Sequence, residues 1–260
     1  MHFEGALRML SKVAPATLLD WKIAQMGSLA EQQLAWAINA LSRRDPDLAN
    51  IATANATAIK ILSLELQEEL TLIIANRRPN AGDLRQIMSL LKIAGDLERI
   101  GDLGKNIVRR ALAAMGQDHL MPLIGRMRFM AEMVQTQLND VLVGLAQRDV
   151  QKALAVWRKD EDVDAMHNSI FRELFTYMME DPLNIGSCIN LLLGAKNIER
   201  IGDHATNIAE QIYFAVCGAP IAADRPKRDN TSSILVFPEP NAPKTQLLSQ
   251  AHESKDSHSR

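Results

Sequence analysis

Aromatic side chains make up only 4% of the 260 residues, although 47% of the chain is apolar. A core poor in rings and rich in Leu, Ile, Ala and Met is the composition of helical bundles. The length fits one large domain or two of about 100–150 residues. Cysteine is nearly missing, and Cys188 and Cys217 stand far apart without metal-ligand spacing. That excludes a disulfide framework and suits a reducing compartment. Neither sign of charge dominates, because the formal net charge is −2. Bulk electrostatic attraction to nucleic acid or to an anionic membrane is therefore disfavoured. No stretch reaches the roughly 18 consecutive apolar residues of a membrane span. The opening MHFEGALRMLSKVAP lacks the apolar region and cleavage site of a secretory signal. Gly-rich phosphate loops, GxSxG and HExxH are absent too. The expectation is a soluble, cytoplasmic protein.

Strand patterning is equally scarce. Segments of helical period alternate with short breakers and predict six helices, near 15–41, 46–74, 83–115, 121–148, 149–180 and 182–218. Asp83 and Asp149 read as N-caps, and Asp181-Pro182 as a cap followed by a first-turn proline. Residues 221–260 hold Pro226, Pro238, Pro240 and Pro243 among Ser, Asn, Asp and Lys. This composition predicts a disordered tail, interrupted by one short apolar run, SILVF at 233–237.

What the chain does have is an internal repeat. LERIGDLGKNI (97–107) returns as IERIGDHATNI (198–208), and ten of nineteen positions match when Leu90–Val108 is laid on Leu191–Ala209. Upstream the register shifts by three, so that SRRD (42–45) falls on AQRD (146–149) and EEL (68–70) on REL (172–174). The prediction is an all-α fold of two pseudo-symmetric three-helix bundles, residues 1–116 and 117–220.

In a helix, Glu98 and Asp102 lie at i,i+4, with Cβ atoms about 6 Å apart, and Asn106 continues their edge. Leu90, Ile93, Leu97, Ile100, Gly104 and Ile107 form a stripe of bundle-packing spacing, repeated by Leu191, Gly194, Ile198, Ile201, Ala205 and Ile208. The acids stand on nearly the opposite face, which also carries Leu84, Ile87, Leu91 and Ala94. Carboxylates emerging from a contact-making face want a positive partner. Two solutions are open. One is structural, with Arg99 and Arg200 as i,i+3 partners of the aspartates. The other is a metal ion whose shell is completed by a neighbouring helix. In the second half KDEDVDAMH supplies the completion: Asp160 and Asp164, with Glu161 and His167 as additional ligands and Asn207 beside Asp203. Facing acidic helices repel unless a cation sits between them; an acidic helix start is the competing account. His204 is either a further ligand or an exposed helical histidine.

The first half departs from this pattern. In the shifted register Ala56, Thr57, Lys60 and Ser63 replace Asp160, Glu161, Asp164 and His167. Lys60 is thus the expected countercharge for Glu98 and Asp102. Arg77-Arg78 and Arg109-Arg110 lie near helix ends, where cations complement the dipole.

The paired ERIGD motifs, each followed by N-I, resemble the PhoU family over roughly residues 20–217. DEDVDAMHNSIFRELFTYMMEDP before the second copy and RRPNAGDLRQIMSLLKIAGDLERIGDLGKNI around the first carry the resemblance. It implies a six-helix, two-bundle fold, usually dimeric, and a cytoplasmic accessory protein of the bacterial high-affinity phosphate transporter. It further implies repression of the phosphate-starvation response, by linking the ATPase subunit of the phosphate ABC transporter to a phosphate-sensing histidine kinase. Iron or zinc is implied at the E(D)xxxD motifs, which fall here on Glu199 and Asp203 with Asp160 and Asp164, and on Glu98 and Asp102. The expected function is a non-catalytic regulatory adaptor. The alternative is a metal-dependent phosphohydrolase, since carboxylate sites in helical bundles host catalytic metals.

Overall fold

The structure, a computed structural model, describes residues 18–42, 45, 47–77, 79–114, 120–223 and 225. Among them the regular structure is helical throughout: α1 (Leu18–Ser42), α2 (Asp47–Arg77), α3 (Ala81–Ala114), α4 (Met121–Gln147), α5 (Val150–Arg158), α6 (Asp160–Glu180) and α7 (Ile185–Cys217), with a 3-10 turn at Pro182–Asn184.

The breakers work by the expected chemistry, with one reassignment. Asn80, rather than Asp83, caps α3: its Oδ1 accepts the backbone N–H groups of Gly82 and Asp83, at 2.8 and 3.0 Å. The Asx geometry at Asn80 leaves Asp83 in the first turn, where its charge complements the helix dipole. Asp149 Oδ1 accepts from the N–H groups of Gln151 and Lys152 at the start of α5. Asp181 does the same for Leu183 ahead of α7. Gly218, at φ 82°, ends α7 in the left-handed conformation that a glycine adopts without Cβ strain.

The helix expected over 149–180 is two helices. It breaks at Lys159, whose carbonyl accepts from the buried Gln137 Nε2 at 3.1 Å. A side-chain donor therefore satisfies a carbonyl at the interruption. Gln33, 104 residues before Gln137, instead binds Ala52 O at 3.1 Å and accepts from Asn55 at 2.8 Å, and α2 runs on without a break.

This offset of 104 residues relates much of the two repeats. Met26 and Met130, Leu34 and Leu138, and Leu70 and Leu174 are equivalent pairs, and all six are fully buried. A cross-helix ion pair repeats as well. Lys22 on α1 meets Glu65 and Glu69 on α2, both at 2.9 Å. Arg126 on α4 meets Glu173 and Ser169 on α6. Each repeat thus pins its first helix to its second by one cation. The third helices, α3 and α7, share the most extensive contact in the fold and join the repeats, assisted by α1 against α4. Across that second contact Asn139 donates to Glu31 at 2.9 Å.

The interior is one continuous apolar cluster. Of the predicted stripes, Ile93, Leu97, Ile100, Gly104 and Ile107 are buried on α3, and all six residues of the stripe on α7 are buried. Leu90 is half-buried. The compact unit does not stop at residue 220. Ile221 packs on the core and Arg225 on the helices, which moves the start of the expected tail into the folded body. The remainder, 226–260 with SILVF, lies outside the described residues. None of the described helices is long and apolar enough to cross a membrane.

Candidate carboxylate site

The repeated motif divides into packing and charge. Ile100 and Ile201, Gly101 and Gly202, and Ile107 and Ile208 are buried, so these letters of the repeat are core. Gly101 faces helix α2 so closely that an added Cβ would meet Ile59 Cδ1 at 2.7 Å. The acids are what the packing does not explain.

In the second repeat the break at Lys159 makes Asp160 the first residue of α6, and Asp160, Glu161 and Asp162 occupy its first turn. An acidic helix start favours the macrodipole. It is not a solvated one, because Asp160 and Asp164 are only 2% and 3% exposed. His167 is buried on the same helix, whereas Glu161 is half-buried. Asp160 faces α7, where Thr206 Oγ1 donates to its Oδ1 at 2.9 Å.

The countercharge comes from outside both helices. Arg225 donates from Nε to Asp160 Oδ2 at 2.8 Å and from Nη2 to Asp160 Oδ1 at 3.1 Å, a bidentate fork. Nη2 also reaches Asp203 Oδ1 at 2.7 Å and the Asp203 carbonyl at 3.4 Å, while Nη1 donates to Asn207 Oδ1 at 3.1 Å. Burial would lower the pKa of this guanidinium. Its bond to Asp160 and the charges of Asp160, Asp203 and Glu210 outweigh burial and raise it.

Glu199, 4% exposed, stands one turn before Asp203. Lys196 Nζ donates to its Oε1 at 3.0 Å, and its buried Oε2 has no hydrogen-bond partner. Burial pushes its pKa up to about 7, against the opposing bond from Lys196, with Asp203 and Asp164 adding to the rise. These carboxylates are therefore electrostatic neighbours. Their oxygens are the hard donors that a divalent cation takes. Yet among the described residues no three His, Cys, Asp or Glu side chains are gathered so as to hold a metal ion. A guanidinium joins Asp160 to Asp203 instead.

The first repeat is neutralised differently. Lys105 Nζ pairs with Asp102 Oδ1 at 2.7 Å. Lys60, the expected countercharge, is exposed and makes no ion pair among the described residues. Arg99 and Arg200 are likewise exposed, so the i,i+3 cations are lysines on the other side of the acids. Lys105 occupies the position equivalent to Thr206, and Ala56, buried, the position equivalent to Asp160. Acid and hydroxyl were thus exchanged together for methyl and ammonium. Glu98 and Asn106 are half-buried.

The α3–α7 junction has polar contacts of its own. His204 Nδ1 meets Asp96 Oδ1 at 2.8 Å, and Asn207 Nδ2 donates to the same oxygen at 3.4 Å. His204 is therefore an interface residue. A cleft of about 390 Å³ beside them is lined by Lys92, Asp96, Arg99 and Glu210, among others. Arg225 gave no signal in the sequence, being a single cation in an irregular stretch. Asp96 could be noticed only as an acid within the α3 repeat, without a clue to its partner.

Two helical repeats joined along α3 and α7, each carrying an ExxxD pair on that helix, define a class of duplicated helical bundles. The PhoU domain model matches this chain twice, over residues 23–111 and 127–212. The chain belongs to the PhoU family. A Rhizobium meliloti (strain 1021) relative, a phosphate-specific transport system accessory protein PhoU homolog, is 46% identical over 83% of this chain and 91% of its own. The Escherichia coli (strain K12) phosphate-specific transport system accessory protein PhoU is 38% identical over 76% of this chain and 81% of its own. These relatives are named as accessory proteins, not as enzymes. The crystal structure of PhoU from Pseudomonas aeruginosa superposes with a TM-score of 0.71 at 34% identity, covering 84% of this chain and all of that one. PhoU from Streptococcus pneumoniae shares the fold, with a TM-score of 0.72 at 23% identity over 79% of this chain and 96% of that one.

Proposed function

We propose that this protein is a non-catalytic regulatory adaptor of phosphate uptake. It acts in the cytoplasm as a homodimer, docks on the ATPase subunit of a phosphate ABC transporter and on a phosphate-sensing histidine kinase, and holds down the phosphate-starvation response. The observation that carries this reading is the identity with phosphate-specific transport system accessory proteins across both repeats. Large apolar side chains left in solvent support a docking role: Ile61, Leu64 and Leu72 on α2, and Met179 and Leu183 near the end of the second repeat. Glu199, Asp203, Asp160 and Asp164 are the proposed cation-binding side of the adaptor, with iron or zinc as the ion.

The test is genetic. Disruption of the gene is expected to switch on phosphate-scavenging genes, read by an alkaline phosphatase reporter, in medium rich in phosphate. Reintroducing the gene should restore repression. A disrupted strain that still represses in rich medium would sink the proposal.

A further inference from the structure

The cation that answers Asp160 and Asp203 is not part of the helices that carry them. Asp160, Asp203, Thr206 and Asn207 form a notch on α6 and α7, and the guanidinium in it comes from Arg225, beyond the end of α7. Each guanidinium nitrogen is used. Nε and Nη2 make the fork on Asp160, Nη2 also reaches Asp203, and Nη1 meets Asn207 Oδ1. Thr206 holds the Asp160 carboxylate from α7. An ammonium has one nitrogen and cannot serve these acceptors together, so the notch is shaped for a planar guanidinium. The segment that delivers it is held lightly. Ile221 packs on the core, but Ala222 and Ala223 are exposed. Asp203 keeps 24% of its side chain in solvent with Arg225 in place, so the notch is open on that side.

We propose that this notch is a docking site for an arginine side chain presented by a partner protein, and that Arg225 occupies it as a tethered competitor. Displacement of Arg225 then frees the segment 219–225 from α6 and α7.

Three observations converge on this. Asp160 is buried, and without a cation the notch would strand it beside Asp203. Departure of Arg225 alone is therefore unfavourable, whereas exchange of one guanidinium for another keeps every bond. Glu199 Oε2, one turn from Asp203, adds a buried acceptor that has no hydrogen-bond partner with Arg225 in place. The first repeat has Ala56 and Lys105 in place of Asp160 and Thr206, and Lys105 is built into α3 one turn from Asp102. Its acid is answered by a cation that cannot leave, so the chain offers one notch and not two. A short tether presents Arg225 at high effective concentration, which sets the threshold that a partner's arginine must exceed.

The existence of a partner rests on the adaptor reading; the chemistry of the notch is tested on purified protein. Isotope-labelled full-length chain would be titrated with N-acetyl-arginine amide and, as control, N-acetyl-lysine amide, followed by amide shifts and by amide exchange over 219–225. Arg225→Gln is expected to bind the arginine probe saturably, about tenfold or more tighter than the unsubstituted chain does, and to bind the lysine probe far more weakly. In the unsubstituted chain, saturating arginine probe should speed exchange over 219–225. Arg225→Lys, which keeps the charge but loses the fork, should fall between, and it decides should Arg225→Gln fail to fold. Equal affinity in wild type and Arg225→Gln, no binding by either, or equal binding of the two probes would each overturn the proposal. In cells the alkaline phosphatase reporter separates a competitor from a structural latch: Asp203→Asn should weaken repression and Arg225→Gln strengthen it. Loss of repression in both would overturn the proposal, as would a dimer that dissociates on Arg225→Gln, which would seat a second copy's arginine in the notch. A reporter indifferent even to gene disruption would sink the adaptor reading and the partner with it, while the probe titration still decides whether the notch takes an outside guanidinium.

Discussion

At the scale of the residue, charge state is set by burial more than by neighbours in sequence. Glu98 and Glu199 occupy equivalent motif positions, yet only Glu199 is buried. Its carboxyl rises from an ordinary 4.5 to about 7, first through burial. Between those values the folded chain keeps a proton that the unfolded chain has shed. Stability from this group is therefore full below pH 4.5 and is lost as pH rises toward 7. Glu199→Gln holds the neutral form at every pH, so the decline across that window should shrink in the variant. Urea midpoints taken at intervals from pH 4 to 8 would show it, and parallel curves for the two proteins would refute it. A second residue-scale contrast separates two glycines of α3. A Cβ at Gly104 would meet Gln33 Cγ at 2.6 Å, and Gln33 is held by Ala52 O and Asn55, whereas a Cβ at Gly95 meets nothing within 4 Å. Gly104→Ala should destabilise by about 1–3 kcal/mol. Gly95→Ala should stabilise by up to about 1 kcal/mol through helix propensity. Chemical denaturation of the pair tests both signs.

Elements follow from caps and from buried side-chain donors. The boundaries near Asp149, Asp181 and Gly218 were legible because each rests on a local bond or a local backbone conformation. The break at Lys159 was not legible. No proline or glycine marks it, and the donor bonded to its carbonyl, Gln137, comes from another helix. That break turns an acidic run inside a helix into an acidic helix start, which aims Asp160 at α7. Gln137→Ala should loosen the break without abolishing the fold, at a cost of about 1–3 kcal/mol for the lost bond to the Lys159 carbonyl and the space left by a buried side chain. Asp149→Ala, which removes a cap from α5, should cost about 1 kcal/mol. Thermal unfolding of the two variants would check the order, and an Asp149→Ala loss larger than that of Gln137→Ala would contradict it.

At the scale of the whole molecule, α3 belongs to both halves. It packs on α1 and α2 within its repeat and on α7 across the junction, and Leu97 on it is fully buried. Both repeats should therefore melt together. Calorimetry is expected to give one transition, and Leu97→Ala to weaken it by about 2–5 kcal/mol without splitting it. Two separated transitions would show that the junction is weaker than the contacts indicate. Taken alone, the sequence determined the helical class, the duplication, the two apolar stripes and the acids that interrupt a packing face. All of these are periodic or local, and periodicity survives in one dimension. Only the tertiary structure decided which cation answers each acid: Lys105 for Asp102, Lys196 for Glu199, and Arg225 for Asp160 and Asp203. Arg225 stands 65 residues from Asp160 along the chain. An ion pair of that separation is fixed by where helices and chain segments come to rest, and no spacing rule along the chain contains that information.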